Sequence, residues 1–161
     1  MKRILIGLMA IVMIGCSSLT SAEKAERRER MAQAVEKALS ERHYKVEIST
    51  MNPRRGKTIN VSPDFSLEVK GDTLVSYLPY FGRAYNVPYG GGKGLNFTAP
   101  IADYQEAEGR NGVHLVAIKV SNEEDTYLFR LEIFGNGNAS IDLTAHERES
   151  ISYTGNMDIE E

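Results

Sequence analysis

The pattern of apolar residues changes once along the chain, from a helical period near the start to a strand period afterwards. Apolar residues recur at three- and four-residue intervals at Met31, Ala34, Val35, Ala38 and Leu39. This spacing places them on one face of an amphipathic helix, which we expect to pack on the rest of the domain. Thr20, followed three residues later by Glu23, predicts a capping box at the start of that helix.

From residue 44 onward, apolar and polar residues alternate, as in strands with one buried face. The alternation covers residues 44–48, 65–78, 113–120, 127–134, 139–143 and 150–153, with turns at 70–72, 122–125 and 135–137. At 113–120, Val113, Leu115 and Ala117 lead to Ile118 and Val120. Because no strand–helix–strand rhythm occurs, the pattern predicts a mainly β fold, an antiparallel curved sheet or small barrel of about eight strands, with one N-terminal amphipathic helix.

The first residues read as a targeting segment. Lys2 and Arg3 precede twelve uncharged residues, Ile4 to Gly15, which are too few for a membrane span and typical of a signal-peptide core. Met13-Ile14-Gly15-Cys16 resembles the lipobox of bacterial lipoproteins, although Met13 stands where Leu is preferred. The resemblance implies cleavage before Cys16 and acylation of that cysteine, palmitate included. The alternative is ordinary cleavage after Ser21-Ala22, which would leave a secreted protein without an anchor.

The residues after Cys16 bear on location. No acid follows Cys16 directly and no acidic cluster lies nearby, so nothing resembles an inner-membrane retention signal or a surface-export signal. The resemblance therefore implies an outer-membrane lipoprotein that faces the periplasm. The domain organisation that follows is a signal peptide at 1–15, an anchor and charged linker at 16–30, a single β-rich domain at 31–155, and an acidic tail at 156–161.

Composition narrows the function classes. The chain has 161 residues, one cysteine and a net charge of −3, which becomes −5 once Lys2 and Arg3 are removed. An acidic protein without a cationic cluster is a poor candidate for binding nucleic acid. One cysteine cannot form an internal disulfide. The highly charged segment 23–30 reads as a solvated helical stalk, with binding of lipid headgroups through its arginines as the alternative.

Residues 77–97 do not read as regular scaffold. They combine rings with Pro79, Pro88 and the glycines at 90–92 and 94, as in shaped loops that carry function. The spacing fails both the Walker A and the kinase-type phosphate loops. A non-enzymatic binding site is one interpretation, with a rim formed by Tyr80, Phe81, Arg83, Tyr85, Tyr89 and Lys93. Rings with two cations suit a small amphipathic or anionic ligand, or an envelope protein. The alternative is that the rings close the barrel end and pack on the helix.

The same segment carries a family resemblance. Residues 77–85 (YLPYFGRAY) and 88–97 (PYGGGKGLNF), together with 42–44, 124–127 and 148–152, resemble the bacterial family called domain of unknown function 4251. The resemblance covers about residues 30–155. It implies an envelope protein of Bacteroidetes-type bacteria, often a lipoprotein. No activity comes with it, so it assigns no catalytic residue.

Other chemistry finds little support in the sequence. The three histidines, His43, His114 and His146, lack metal-ligand spacing, so we predict neither a metal site nor a cofactor. His43 is expected at the helix end, and 146–149 (HERE) in a solvated loop. The acidic residues at 123–125 and Glu147 with Glu149 keep one alternative open, a hydrolase that acts on an envelope polymer or glycan through paired carboxylates.

Overall fold

The structure, a computed structural model, describes residues 20–85 and 95–159. One helix precedes nine strands. Their bounds are α1 (Ser21–Ser40), β1 (His43–Pro53), β2 (Ile59–Asn60), β3 (Ser66–Lys70), β4 (Thr73–Leu78), β5 (Leu95–Glu108), β6 (His114–Ser121), β7 (Thr126–Ile133), β8 (Asn138–Ala145) and β9 (Ile151–Met157).

Eight of the strands close into an antiparallel barrel. Each of β4 to β9 pairs with its predecessor in the chain, β3 pairs with β1, and β9 returns to β1. The closing register runs from Val46 opposite Met157 to Pro53 opposite Ile151, with a bulge between Ile48 and Thr50. The short β2 pairs with β1 beside β3. Closure leaves few backbone groups on open edges, and it decides between the two predicted arrangements in favour of the barrel.

The barrel interior is filled by the inward positions of the alternating pattern. In β7 these are Tyr127, Phe129, Leu131 and Ile133, each at most 1% exposed, as the alternation predicts. The prediction for β6 was partly wrong. Val116, rather than Leu115, lies inside with Ile118 and Val120, and Leu115 is exposed. Because residues 115–118 (LVAI) are apolar on both faces, the pattern in this part of β6 does not decide which face turns inward.

The helix closes the end of the barrel at which β1 begins. The predicted capping box is present, with the Thr20 hydroxyl accepting from the Glu23 backbone N–H and the Glu23 carboxylate accepting from the Thr20 N–H. Residues 21–30 are exposed, in agreement with a solvated stalk, whereas Val35 and Leu39 are fully buried in the barrel core. Burying two such side chains stabilises the packed helix by about 3–6 kcal/mol.

The chain departs from the sequence predictions at both ends of the domain. The helix ends at Ser40, so His43 is the exposed first residue of β1 and does not lie at the helix terminus. At the other end, β9 continues through Met157, which is buried, so the barrel extends past residue 155. Within the described residues, no helix is long and apolar enough to span a membrane.

Candidate functional site

The open end of the barrel, opposite α1, gathers four connections. They are the β1–β2 loop, the segment that follows β4, the β6–β7 turn and the β8–β9 loop. Ala84 and Arg148 form an isolated antiparallel bridge. It is flanked by two backbone hydrogen bonds, from Tyr85 N–H to Glu147 O at 2.7 Å and from Glu149 N–H to Arg83 O at 2.9 Å. Residues 83–85 are therefore docked on the β8–β9 loop as a short extra strand.

Two tyrosine hydroxyls hold the start of this segment. The Tyr153 hydroxyl donates to the Pro79 carbonyl at 2.7 Å. The Tyr80 hydroxyl is the donor toward two backbone carbonyls, that of Arg83 at 2.9 Å and that of Glu149 at 3.1 Å. Burial is the main cause that raises the pKa of both tyrosines. The Glu149 carboxylate raises the pKa of Tyr80 further, and the Tyr80 phenol does the same for Tyr153. Both hydroxyls therefore keep their donor proton at neutral pH.

A buried ionic cluster supports the docked loop from below. The Asp125 side chain is 0% exposed, and its carboxylate accepts from the backbone N–H groups of Thr126, His146 and Glu147 at 2.7–3.2 Å. The Arg148 Nη2 lies 2.9 Å from the Glu124 carboxylate, and its Nε lies 3.9 Å from that of Asp125. The Arg148 guanidinium also lies 5.7 Å from the centre of the Tyr80 ring. Asp125 and Glu124 therefore stabilise the fold of the docked loop.

Above the cluster lies a cleft of about 380 Å³, which we call the open-end cleft. Its lining residues are Arg55, Tyr80, Phe81, Gly82, Arg83 and Glu149. Glu149 is only 8% exposed, and among the described residues its carboxylate accepts one hydrogen bond, from the Arg83 N–H at 3.3 Å. The Arg55 Nε lies 3.7 Å from the other carboxylate oxygen. A buried anion, two exposed cations and two rings therefore surround one concave space.

A second depression, the outer groove, lies on the outer face of the barrel beside the cleft. It measures about 370 Å³, and its lining residues are Asn52, Arg54, Arg130, Asp142, Leu143, Thr144, Ser150, Ile151 and Ser152. Arg130, Asp142 and Ser152 occupy paired positions on β7, β8 and β9. Asn52 of β1 pairs with Ser152 and completes the row. The floor of the groove is thus a polar band across four strands.

The structure brings together only part of the predicted rim. Tyr80, Phe81 and Arg83 line the open-end cleft. Tyr85 lies nearby and is 65% exposed but does not line the cleft, while Phe81 is 61% exposed. Tyr89 and Lys93 lie outside the described residues, as does Cys16. Tyr80, Phe81 and Tyr85 do not pack on α1, because the helix closes the opposite end of the barrel.

Sequence reasoning missed Arg55 and Glu149. The prediction that 146–149 is a solvated loop was wrong for half of it, because Arg148 and Glu149 are each 8% exposed. The available signal was the family resemblance at 148–152, which marked these residues without assigning a role. His146 is exposed as predicted, and His114 lies 3.6 Å from the Glu106 carboxylate. In the part of the chain that the structure describes, no group of His, Cys, Asp and Glu residues could hold a metal ion.

Comparison with known proteins agrees with the resemblance. The family model of domain of unknown function 4251 (DUF4251) matches residues 26–157. The crystal structure of a DUF4251 family protein from Bacteroides eggerthii DSM 20697 is similar, with a TM-score of 0.60 and 16% identity, over 80% of this chain and 87% of that one. At this identity the likeness shows the fold alone. No curated protein matches the chain. The chain belongs to the DUF4251 family.

Proposed function

We propose that this protein is a lipid-anchored component of the cell envelope whose barrel is a non-enzymatic binding module. The observation that carries the proposal is the open-end cleft, where exposed Phe81 and Arg83 face a buried Glu149 carboxylate. A small cleft with a few convergent polar groups is the usual form of a ligand site. The chemistry of its lining suits a small amphipathic or anionic ligand.

The exposure of the rings favours binding over a purely structural role. Rings that served only to close the barrel would be buried, as Tyr127 is where it stacks on the partly buried Phe97 at 4.7 Å. Phe81 instead remains 61% exposed beside two arginines. The backbone of the segment is fixed by its pairing with the β8–β9 loop, so these side chains are presented from a rigid base. A preorganised site loses less entropy when it binds.

The anchor part of the proposal rests on Met13-Ile14-Gly15-Cys16. Acylation at Cys16 would attach the chain to the outer membrane, with the barrel in the periplasm, because no retention or export signal follows. The ten exposed residues at the start of α1 would then act as a spacer about 15 Å long. The membrane itself is therefore a proposed partner through the lipid, and nucleic acid is not.

The hydrolase alternative gains no support from the carboxylates near the cleft. Asp125 accepts three backbone N–H groups, and Glu124 pairs with Arg148. Glu149 faces the cleft with no second carboxylate among the residues that line it. A pair of carboxylates across the scissile bond is what most glycosidases require.

A thermal-shift screen tests the binding module. The probes are decanoate, dodecyl phosphate, and acidic and neutral oligosaccharides, added to the mature protein. A ligand at about 100 times its Kd adds about 2.7 kcal/mol to the free energy of unfolding, which raises the melting temperature by several degrees. We expect Arg83→Ala to reduce the shift without lowering the basal melting temperature, since only the backbone of Arg83 makes described contacts.

The matched control is Arg110→Ala, which removes an exposed arginine from the short 3₁₀ turn between β5 and β6. It should leave the ligand shift unchanged. If no probe of any class shifts the folded protein, the binding module is refuted.

A separate experiment tests the anchor. The wild type and Cys16→Ala are expressed in a Bacteroidetes host with a clickable palmitate analogue. We expect the label and partition into detergent for the wild type, and neither for the variant. Digestion of the protein by protease on intact cells would contradict the periplasmic orientation.

A further inference from the structure

The open-end cleft and the outer groove meet at two points in the chain. Arg54 lines the groove and Arg55 the cleft, while Ser150 lines the groove and Glu149 the cleft. Consecutive Cα atoms are about 3.8 Å apart. Both junctions lie where β1 ends and β9 begins, next to the closing pair of Pro53 and Ile151. The two depressions therefore adjoin at the barrel rim, and together we call them the path.

This path carries cations that are not used by the fold. Among residues 20–85 and 95–159, no ion pair includes Arg54, Arg83 or Arg130. Arg55 makes one ion pair, with Glu149, and the Arg55 side chain is 70% exposed. In a chain whose net charge is negative, the four arginines of this path outnumber its two carboxylates and give it a local positive charge. Such a path attracts an extended anion.

The path also offers acceptors and hydroxyl groups. An ionised carboxylate has about four acceptor sites, and in the described part of the chain the buried Glu149 carboxylate uses one, for the Arg83 N–H. The Asp142 carboxylate and the hydroxyls of Thr144 and Ser152 line the groove. A ligand that fills these sites must bring hydroxyl donors as well as negative charge, and the Tyr80 and Phe81 rings add an apolar surface.

We propose that the open-end cleft and the outer groove together bind a linear acidic polysaccharide, one that carries carboxylated sugars. This proposal rests on the proposed function and names its ligand class. Sugar carboxylates pair with the arginines, sugar hydroxyls donate to Glu149 and Asp142, and the apolar face of a sugar ring packs on Tyr80 or Phe81. A chain of several sugars is needed to cover both depressions.

Two other polyanions fit the path less well. Nucleic acid carries a phosphate about every 3.4 Å along each strand, and such dense charge is repelled by the two carboxylates of the path. An acidic peptide would gain most by pairing with an open strand edge. The groove instead lies on a sheet face, whose backbone groups already pair within the barrel.

Isothermal titration calorimetry with oligogalacturonates of two and six units tests the proposal. We expect the hexamer to bind at least about tenfold more tightly than the dimer because only the hexamer reaches both depressions. Maltohexaose, a neutral oligosaccharide, should bind at least tenfold more weakly than the charged hexamer. Higher salt should weaken hexamer binding.

Single substitutions separate the two halves of the path. Arg83→Gln should weaken both the dimer and the hexamer about fivefold, a typical effect of one partly exposed charged contact. Arg130→Gln, in the groove, should weaken the hexamer by a similar factor and leave the dimer unchanged. Arg110→Gln, outside the path, should affect neither. Circular dichroism confirms that each variant is folded.

The overturning results are distinct. Equal affinity for polyglutamate of matched length would show a general anion surface and refute the sugar class. An unchanged hexamer affinity in Arg130→Gln would refute the continuous path. If no saccharide binds but decanoate or dodecyl phosphate still raises the melting temperature, this inference fails and the binding module stands. If none of the saccharide or lipid probes binds, the binding module itself is refuted.

Discussion

Replacing Arg148 by Met should destabilise the open end of the barrel and loosen the docked segment 83–85. The side chain is 8% exposed, donates to Glu124 at 2.9 Å and approaches Asp125 at 3.9 Å. Met keeps most of the apolar volume and removes the cation. Asp125, fully buried, would keep its three backbone donors but lose its ionic partner.

The magnitude follows from these contacts. Removing one partner of a buried ion pair costs about 3–5 kcal/mol because the other charge remains buried. The backbone N–H groups still satisfy Asp125, so we expect a smaller loss than this range, about 2–4 kcal/mol. The contact with the Tyr80 ring, at 5.7 Å, contributes at most about 1 kcal/mol of this. A loss of about 3 kcal/mol lowers the melting temperature of a domain this size by about 10 °C.

Urea unfolding followed by circular dichroism measures the loss as a lower midpoint at constant slope. Arg110→Met is the control, since it removes an exposed arginine and should change stability by less than about 0.5 kcal/mol. Asp125→Asn combined with Arg148→Met should lose at least about 1 kcal/mol less than the sum of the single variants. If Arg148→Met is as stable as the wild type, the ionic cluster does not hold the loop and the reasoning is wrong.

Three further outcomes follow from the structure. Gly155→Ala should prevent barrel closure, because a Cβ there would overlap the Glu47 carbonyl on β1. Size-exclusion chromatography and circular dichroism would detect the unfolded or aggregated product. A variant that still forms the native barrel would contradict the register between β1 and β9. Burial raises the Tyr153 pKa, so its contribution to stability is present below about pH 10 and is lost as the pH rises further. Tyr153→Phe should therefore flatten the alkaline loss of stability by up to about 1.4 kcal/mol per pH unit, and an unchanged slope would refute this. Thr20→Ala should speed amide exchange in the first turn of α1, with a local loss of about 1 kcal/mol, and equal exchange there would show that the cap does not matter.

The site was predictable in part. Its aromatic and cationic half lies in one stretch of chain, 80–85, where an unusual mixture of rings, glycine and arginine stands out. The other half comes from Arg55 and Glu149, which are 94 positions apart and sit in ordinary charged runs. Such residues meet only because β9 pairs with β1 and closes the barrel. The pattern of residues within either strand does not predict that β9 pairs with β1.

The sequence by itself determined the element types, the helix cap and most inward positions, because these depend on periods of 3.6 and 2 and on local hydrogen bonds. It also marked the family. Only the tertiary structure decided that the sheet closes, which face of β6 turns inward and which charges are buried. At residues 115–118 both faces of β6 are apolar, and there the pairing with the neighbouring strands determines which side chains are buried. The burial of Glu149 also depends on the tertiary structure, because the segment around Arg83, 66 residues earlier in the chain, packs over it.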